Sequence, residues 1–417
     1  MYVALALAAA VNWSVRLEDS WKFKTGDDLR WADPRFDDRA WGTLSLAAPA
    51  DANDGDQGIG HYAAGWEANG YGGYTGFAWY RILIARPPSS GRDLAVLGPA
   101  MVDSAYQIYA NGKQLGGIGD FARRIPIAYG IHPMRFNFHS SRQPALIAVR
   151  VWMGPWAAGP RSGGMHVAPV FGNAAGVESA YKVQWFEKTR AFALEIVQAC
   201  LFIVLAVVAL SLLPFDRARR GPIMLAIALI LTALWRANLA FFWLSGTESV
   251  QRFVHLHVIL LVPITLGAWT LTWCYLFRLN ESHRITVVTS ALTILYILAE
   301  VLKRPLFDGG FLSALAPAAA LVSRWDRYAF LLLLIYIVYR GVRERGNEAW
   351  LALPAIVLIS IGQFAGELST LGAPTIWFPF GTGVSLANYA YLFATPAIAA
   401  LLWSRLRLQT AWSDAWC

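Results

Sequence analysis

The sequence predicts a membrane protein in two parts: an N-terminal all-β sandwich over residues 13–172, then a seven-helix α-helical transmembrane bundle over residues 191–405. Three observations predict it. The composition changes along the chain, from a mixed stretch rich in Gly, Trp and Tyr up to about Arg190 to one made mostly of Leu, Ile, Val, Ala and Phe from Ala191 onward. The first part alternates apolar and polar residues with period two, and the second holds seven apolar stretches divided by arginine clusters. Over all 417 residues, 56% are hydrophobic and 15% are charged, where soluble proteins average about 25% charged.

Residues 1–12, opening Met1-Tyr-Val-Ala-Leu-Ala-Leu-Ala-Ala-Ala10, read as the apolar part of a truncated signal peptide, with Ala8 and Ala10 suited to cleavage after Ala10. An apolar first strand is the other reading. Alternating runs follow at Phe77–Ile84, Ala105–Tyr109 and Ala145–Trp152, rich in the Tyr, Trp, Ile and Val that suit a pleated surface. Asn111-Gly112 predicts a tight hairpin turn, because both residues tolerate positive φ. Many strands without a helical period imply an antiparallel sandwich. None of the three cysteines (Cys200, Cys274, Cys417) lies here, so the sandwich has no disulfide, and no zinc or redox spacing exists. Residues 173–190 read as a linker.

Trp21-Lys-Phe-Lys-Thr-Gly26-Asp27-Asp28, Phe36-Asp37-Asp38-Arg-Ala-Trp41, Trp79-Tyr80-Arg81 and Tyr109-Ala-Asn111-Gly112-Lys113 occur in that order. The stretch over residues 13–172 resembles the jelly-roll, galactose-binding-like domain that precedes the catalytic barrel of family 2 glycoside hydrolases. The resemblance implies a jelly roll whose motifs mark turns and core aromatics. That barrel needs about 250 further residues; membrane helices follow here instead, so no enzymatic activity is expected.

A span takes about 20 apolar residues to cross about 30 Å of hydrocarbon. Seven stretches fit, at about 191–213, 222–244, 254–277, 285–302, 324–341, 349–368 and 385–404. Residues 306–322, with Pro317, read as an outer loop or re-entrant helix. Arg217, Arg219 and Arg220 follow the first stretch, Arg278 and Arg284 the third, Arg340, Arg343 and Arg345 the fifth, and Arg405 and Arg407 the seventh. All fall on one side, which is then cytoplasmic. Lys303, Arg304, Arg324 and Arg327 are exceptions on the outer side. The net charge of +8 therefore reflects loop arginines rather than a nucleic-acid partner. The sandwich lies outside, and residues 406–417 form a short cytoplasmic tail.

A jelly roll followed by seven spans also resembles the bacterial seven-transmembrane receptors with diverse intracellular signalling modules. That resemblance implies a sensor in the bacterial inner membrane, with the lipid bilayer as partner, an extracytoplasmic small molecule such as a carbohydrate as ligand, and a kinase, cyclase or phosphatase as output. Only about ten residues follow the last stretch, so the output domain is lost, the reading frame is truncated, or the signal passes to a separate cytoplasmic signalling protein. A transporter or channel with an accessory domain is the alternative, and a mere anchor for a sugar-binding module is a third.

Trp66, Tyr71, Tyr74, Trp152 and Trp156 lie in or beside loops and are candidates to stack on a sugar; core or interface packing is the competing explanation. Asp51–Asp56 departs from the spacing of a calcium loop and reads as an acidic turn. The glycine clusters 70–73 and 116–119 lack the strand-then-helix context of a phosphate cradle and read as turns. No metal or cofactor is expected; His255 and His257 point to different faces of one helix. Charged groups within spans are costly and usually functional or paired. Glu195, Gln198, Arg236, Asn238, Gln363 and Glu367 all fall in the outer halves of their spans, which predicts a polar cluster lining an outer-leaflet cavity. Arg236, about 12 Å below the boundary at about 1.5 Å per residue, needs a partner, Glu195 or Glu367. Glu300 and Glu367 lie near helix ends, where snorkelling to the interface suffices.

Overall fold

The computed structural model describes residues 2–4, 12–49, 52, 60–85, 93–140, 144–157, 161–214, 219–304, 314–373, 376–377 and 384–414. The chain divides into two compact units: one built mainly from residues before Ala193, the other from most of the helices after it.

The first unit is β-rich. One sheet has the order β4 (Gly42–Ser45), β3 (Ser20–Thr25), β5 (Gly76–Ala85), β11 (Ala145–Met153), β8 (Ala105–Ala110) and β9 (Lys113–Ile118). The second has β10 (Arg135–His139), β6 (Asp93–Leu97), β13 (Val170–Asn173) and β2 (Ser14–Arg16). The pairings along both of these strand orders are antiparallel, and Tyr80 of β5 faces Val149 of β11. The two sheets enclose one core, with Trp21, Tyr80, Ile82 and Val149 from the first and Leu94, Val96 and Phe171 from the second. Strand β5 is buried on both faces: Tyr80 and Ile82 enter that core, while Trp79 joins Trp31, Trp41 and Tyr109 in a second cluster. Arg81 points the same way as Trp79 and is only 3% exposed. Its guanidinium donates to the Asp38 carboxylate at 2.8 Å and to the carbonyls of Asp33 and Trp31. The motifs at 36–41 and 79–81 are therefore two halves of one buried clasp.

The turn at Asn111-Gly112 forms as expected: φ is +48° and +88°, and Ala110 pairs with Lys113. Tyr2–Ala4 (β1) pairs in parallel with Leu83–Ala85 of β5. Two expectations change. The 116–119 cluster is no simple turn. Gly116 and Gly117 lie within β9, and a Cβ on Gly117 would sit 2.1 Å from the Tyr106 carbonyl, so the two strands approach closely only because that side chain is missing. Residues 174–190 are not a linker but the start of helix α1 (Ala174–Ser211), where Val177 packs under Ala95 and Leu97. The acidic segment at 51–56 lies, except for Ala52, outside the described residues.

The second unit is helical. Beyond α1 it contains α2 (Arg220–Ser245), a continuous run of α3 (Val250–Phe253), a π-helical turn (Val254–Leu261) and α4 (Val262–Leu276), then α5 (Ser282–Lys303), α6 (Ala316–Arg345), α7 (Asn347–Gln363), α8 (Ala365–Thr370) and α9 (Leu386–Asp414). Among the described residues, five helices are long and apolar enough to cross a membrane: α1, α2, the Val250–Leu276 run, α5, and α9 over Leu386–Arg407. The other two helices at expected span positions are α6, which carries Arg324, Asp326 and Arg327, and α7, which has only 17 residues. Phe202, Leu229, Trp269, Trp273, Phe330 and Tyr391 fill the core between helices. Helix α7 lies tight on α9: a Cβ on Gly362 would fall 2.6 Å from the Tyr391 ring. The expected outer loop over 306–322 is corrected in part. Residues 305–313 lie outside the described set, but Ala316–Val322 is the first part of α6. Pro317 occupies its first turn, where a missing N–H costs nothing.

Candidate functional site

The apolar sequence of these helices leaves few polar groups, and the fold gathers them. Arg236 of α2 donates from one terminal nitrogen to Glu195 Oε1 of α1 at 3.0 Å and also to Asn388 Oδ1 of α9. The Asn388 amide donates to the same Glu195 oxygen at 2.8 Å, and Gln198 donates to the Asn388 carbonyl at 2.7 Å. Arg236 and Glu195 are each 4% exposed. Three helices are thus fastened by one network, in which Asn388 bridges acid and base. Asn is suited to this place because its amide both accepts and donates.

Beside it, Trp235 donates to His257 Nε2 at 2.6 Å, and Asn238 lies 3.3 Å from His257 Nδ1. His257 also stacks on Phe253. A second ionic cluster sits on α6. Arg327 makes a two-pronged contact with Glu367 and donates to the Tyr296 hydroxyl at 3.1 Å and the Gln363 carbonyl at 2.6 Å. Glu300 accepts from Ser323 and pairs with Lys303 and Arg304.

A cavity of about 260 Å³ separates the two networks, with Trp235, Arg236, Thr265, Arg327 and Gln363 on its wall. Glu195 and Glu367 are not on that wall. The cavity is therefore faced by two guanidinium groups whose counter-charges stand behind them.

The sequence-based candidates divide sharply. Glu195, Gln198 and Arg236 come together. Asn238 joins the His257 group, and Gln363 and Glu367 join Arg327. Glu367 is thus the partner of Arg327 and not of Arg236. Glu300 and Glu367 have ion-pair partners, so snorkelling is not needed to account for them. The aromatic candidates fare differently. Trp66 is fully buried and Trp152 is 5% exposed, so both are core residues and not exposed platforms. Tyr71 and Tyr74 are half-buried; Tyr71 packs edge-on against Phe23, and the Tyr74 hydroxyl donates to the Phe77 carbonyl. Trp156 lies in the short turn Pro155–Ala157, and its side chain is outside the described set.

Three participants escaped the reading of the sequence. Arg327 falls within the fifth apolar stretch, 324–341, and reads from the sequence only as an outer-side exception to the charge pattern, with no ion-pair partner assigned. Thr265 looks like any helix-compatible small residue. Asp326 is 3% exposed, and both its carboxylate oxygens lack a hydrogen-bond partner among the described residues.

No family model matches this chain, and no curated protein matches it. Solved structures do, over the N-terminal region. A Bacteroides uniformis beta-glucuronidase is 24% identical with a TM-score of 0.27, the match covering 38% of this chain and 17% of that one. A beta-glucuronidase from glycoside hydrolase family 2 is 17% identical with a TM-score of 0.29, covering 40% of this chain and 18% of that one. A Bacteroides vulgatus beta-glycosidase is 19% identical with a TM-score of 0.26, covering 38% and 20%. The chain spans about a fifth or less of the length of these structures, and the likeness carries no activity to it.

Proposed function

We propose that this protein is a multi-pass receptor of a bacterial inner membrane, with an extracytoplasmic jelly-roll domain, seven membrane-crossing helices and a cytoplasmic C-terminus. It senses an extracytoplasmic ligand, for which a carbohydrate is the candidate at the jelly roll, and passes the signal to a cytoplasmic partner. The observation that carries this reading is the Glu195–Arg236–Asn388 network beside the cavity. Buried ionic groups within a membrane are expensive and mark functional positions. Here the network ties α1, α2 and α9 together, so any event that redistributes its hydrogen bonds changes how three helices pack. A ligand shifts such an equilibrium by its difference in affinity for the two arrangements. An anchor needs no such device.

The test uses the full chain in nanodiscs, spin-labelled at Arg219→Cys and Glu344→Cys in a background without the native cysteines, and screened against soluble glycans and small metabolites. A bound compound should shift the distance between the labels. Binding without any shift contradicts the receptor reading. The π-helical turn at Val254–Leu261, beside the His257 group, favours the transporter alternative, since interrupted helices often form transport sites. Uptake of the bound compound into proteoliposomes would support it.

A further inference from the structure

We propose that the cavity between α2, α4, α6 and α7 is itself a ligand site, taking a small molecule that carries a carboxylate on an apolar body. The proposal rests on the receptor reading for what binding would cause, but not for binding itself.

Three residues on the cavity wall each have a buried donor without a partner among the described residues: Arg236 Nε, Thr265 Oγ1 and Gln363 Nε2. Arg236 and Thr265 are 4% and 2% exposed. An unmet donor in such a place costs about 1–3 kcal/mol, and a cluster of three around one void calls for an acceptor inside it. The charge arrangement selects which acceptor. Arg236 and Arg327 form part of the wall, while Glu195 and Glu367 do not. The interior therefore favours negative charge, although each arginine is neutralised from behind. A guanidinium offers fork geometry that suits a carboxylate. In Arg236 one terminal nitrogen is taken by Glu195 and Asn388, and Nε is free. The threonine hydroxyl can turn its hydrogen toward an acceptor without moving a heavy atom. The rest of the wall includes Trp235, Val262, Leu266 and Ala387, which suit an apolar body. Strong polar groups at a few points in an otherwise apolar lining are the usual make-up of a small-molecule site.

The experiment is thermal denaturation of the full chain in nanodiscs with millimolar acetate, benzoate, 3-phenylpropionate and octanoate. Benzamide and benzylamine serve as neutral and cationic controls. At least one carboxylate should raise the melting temperature in a saturable way, and neither control should. Arg236 variants are avoided because they would disturb folding. Thr265→Val and Gln363→Leu instead remove donors that have no partner, so the unliganded protein should melt at the same temperature or higher. Each should weaken carboxylate binding about tenfold or more, from the loss of one charge-assisted hydrogen bond. No carboxylate effect, or an effect that persists in both variants, overturns the proposal; equal effects of benzamide and benzoate overturn the anionic assignment. If a carboxylate binds and the label distance does not change, the site stands and the receptor reading falls. If no carboxylate binds but another compound moves the labels, the reverse holds.

Discussion

Replacing Arg236 probes the polar network most directly, and its cost follows from the geometry. Arg236 and Glu195 are almost fully buried and lie 3.0 Å apart. Arg236→Met keeps much of the volume but leaves the Glu195 carboxylate facing only the Asn388 amide. Breaking a buried pair by removing one partner costs about 3–5 kcal/mol, chiefly because a lone charge remains. For a unit of this size, about 2–4 °C per kcal/mol implies a fall of roughly 6–20 °C in melting temperature. Adding Glu195→Gln removes the lone charge and leaves a neutral amide that can still bond to Asn388, so about 2 kcal/mol or more should return. Adding Glu367→Gln instead should return nothing, since Glu367 pairs with Arg327, and the losses should add as they do for sites without shared partners. Thermal unfolding of the wild type, the three single variants and the two double variants in one detergent completes both cycles. A neutral Arg236→Met, or equal rescue by Glu195→Gln and Glu367→Gln, would refute the reasoning.

Other consequences are as direct. Asp326 is buried with neither oxygen partnered among the described residues, so Asp326→Leu should raise the melting temperature of the full chain, by a stabilisation of about 1–3 kcal/mol; a fall would mean that the carboxylate has a partner when the protein is in its membrane. A fragment over residues 13–173 should fold alone, giving a β-type circular dichroism spectrum and a cooperative melt, because its core draws on both sheets and no disulfide is involved. That fragment should also be sensitive to alkali. Burial pushes the phenols of Tyr80 and Tyr106 well above their ordinary value of 10.0. As pH rises through about 10 the unfolded chain loses these protons first, so stability is fully present below that pH and falls above it. Tyr106→Phe removes a hydroxyl that has no partner among the described residues, and should flatten the alkaline limb of the melting curve without lowering stability at neutral pH.

The parts of this structure written in short-range pattern were legible in the sequence. The period-two runs became β5, β8 and β11, and Asn111-Gly112 became the turn between β8 and β9. That Arg236 needs a carboxylate partner was legible because charge in an apolar segment demands one, but the choice between Glu195 and Glu367 was not. What failed depends on context that a linear pattern does not carry. Trp66 and Trp152 lie beside loops, yet a large ring beside a loop can still turn inward, and only the three-dimensional core decides. The start of α6 was missed because Pro317 and three nearby charges break an apolar run, and the pairing of Arg327 with Glu367 joins two separate helical segments; in the fold, Pro317 begins the helix and Glu367 neutralises Arg327. The partnering of Asn388 with Glu195 and Arg236 links residues 193 and 152 positions apart, which no local spacing encodes. The segment at 174–190 carries charges spaced for a helix that leaves the β-rich region, and polar composition alone suggested a linker.

The central claim is that the β-rich region lies on one side of a membrane and the arginine-rich loops on the other. Alkaline phosphatase, active only after export, tests it when fused at Gly246, just after α2, and at Gly346, between α6 and α7. The account predicts activity at Gly246 and none at Gly346. The reverse pattern, or activity at both positions, would contradict it.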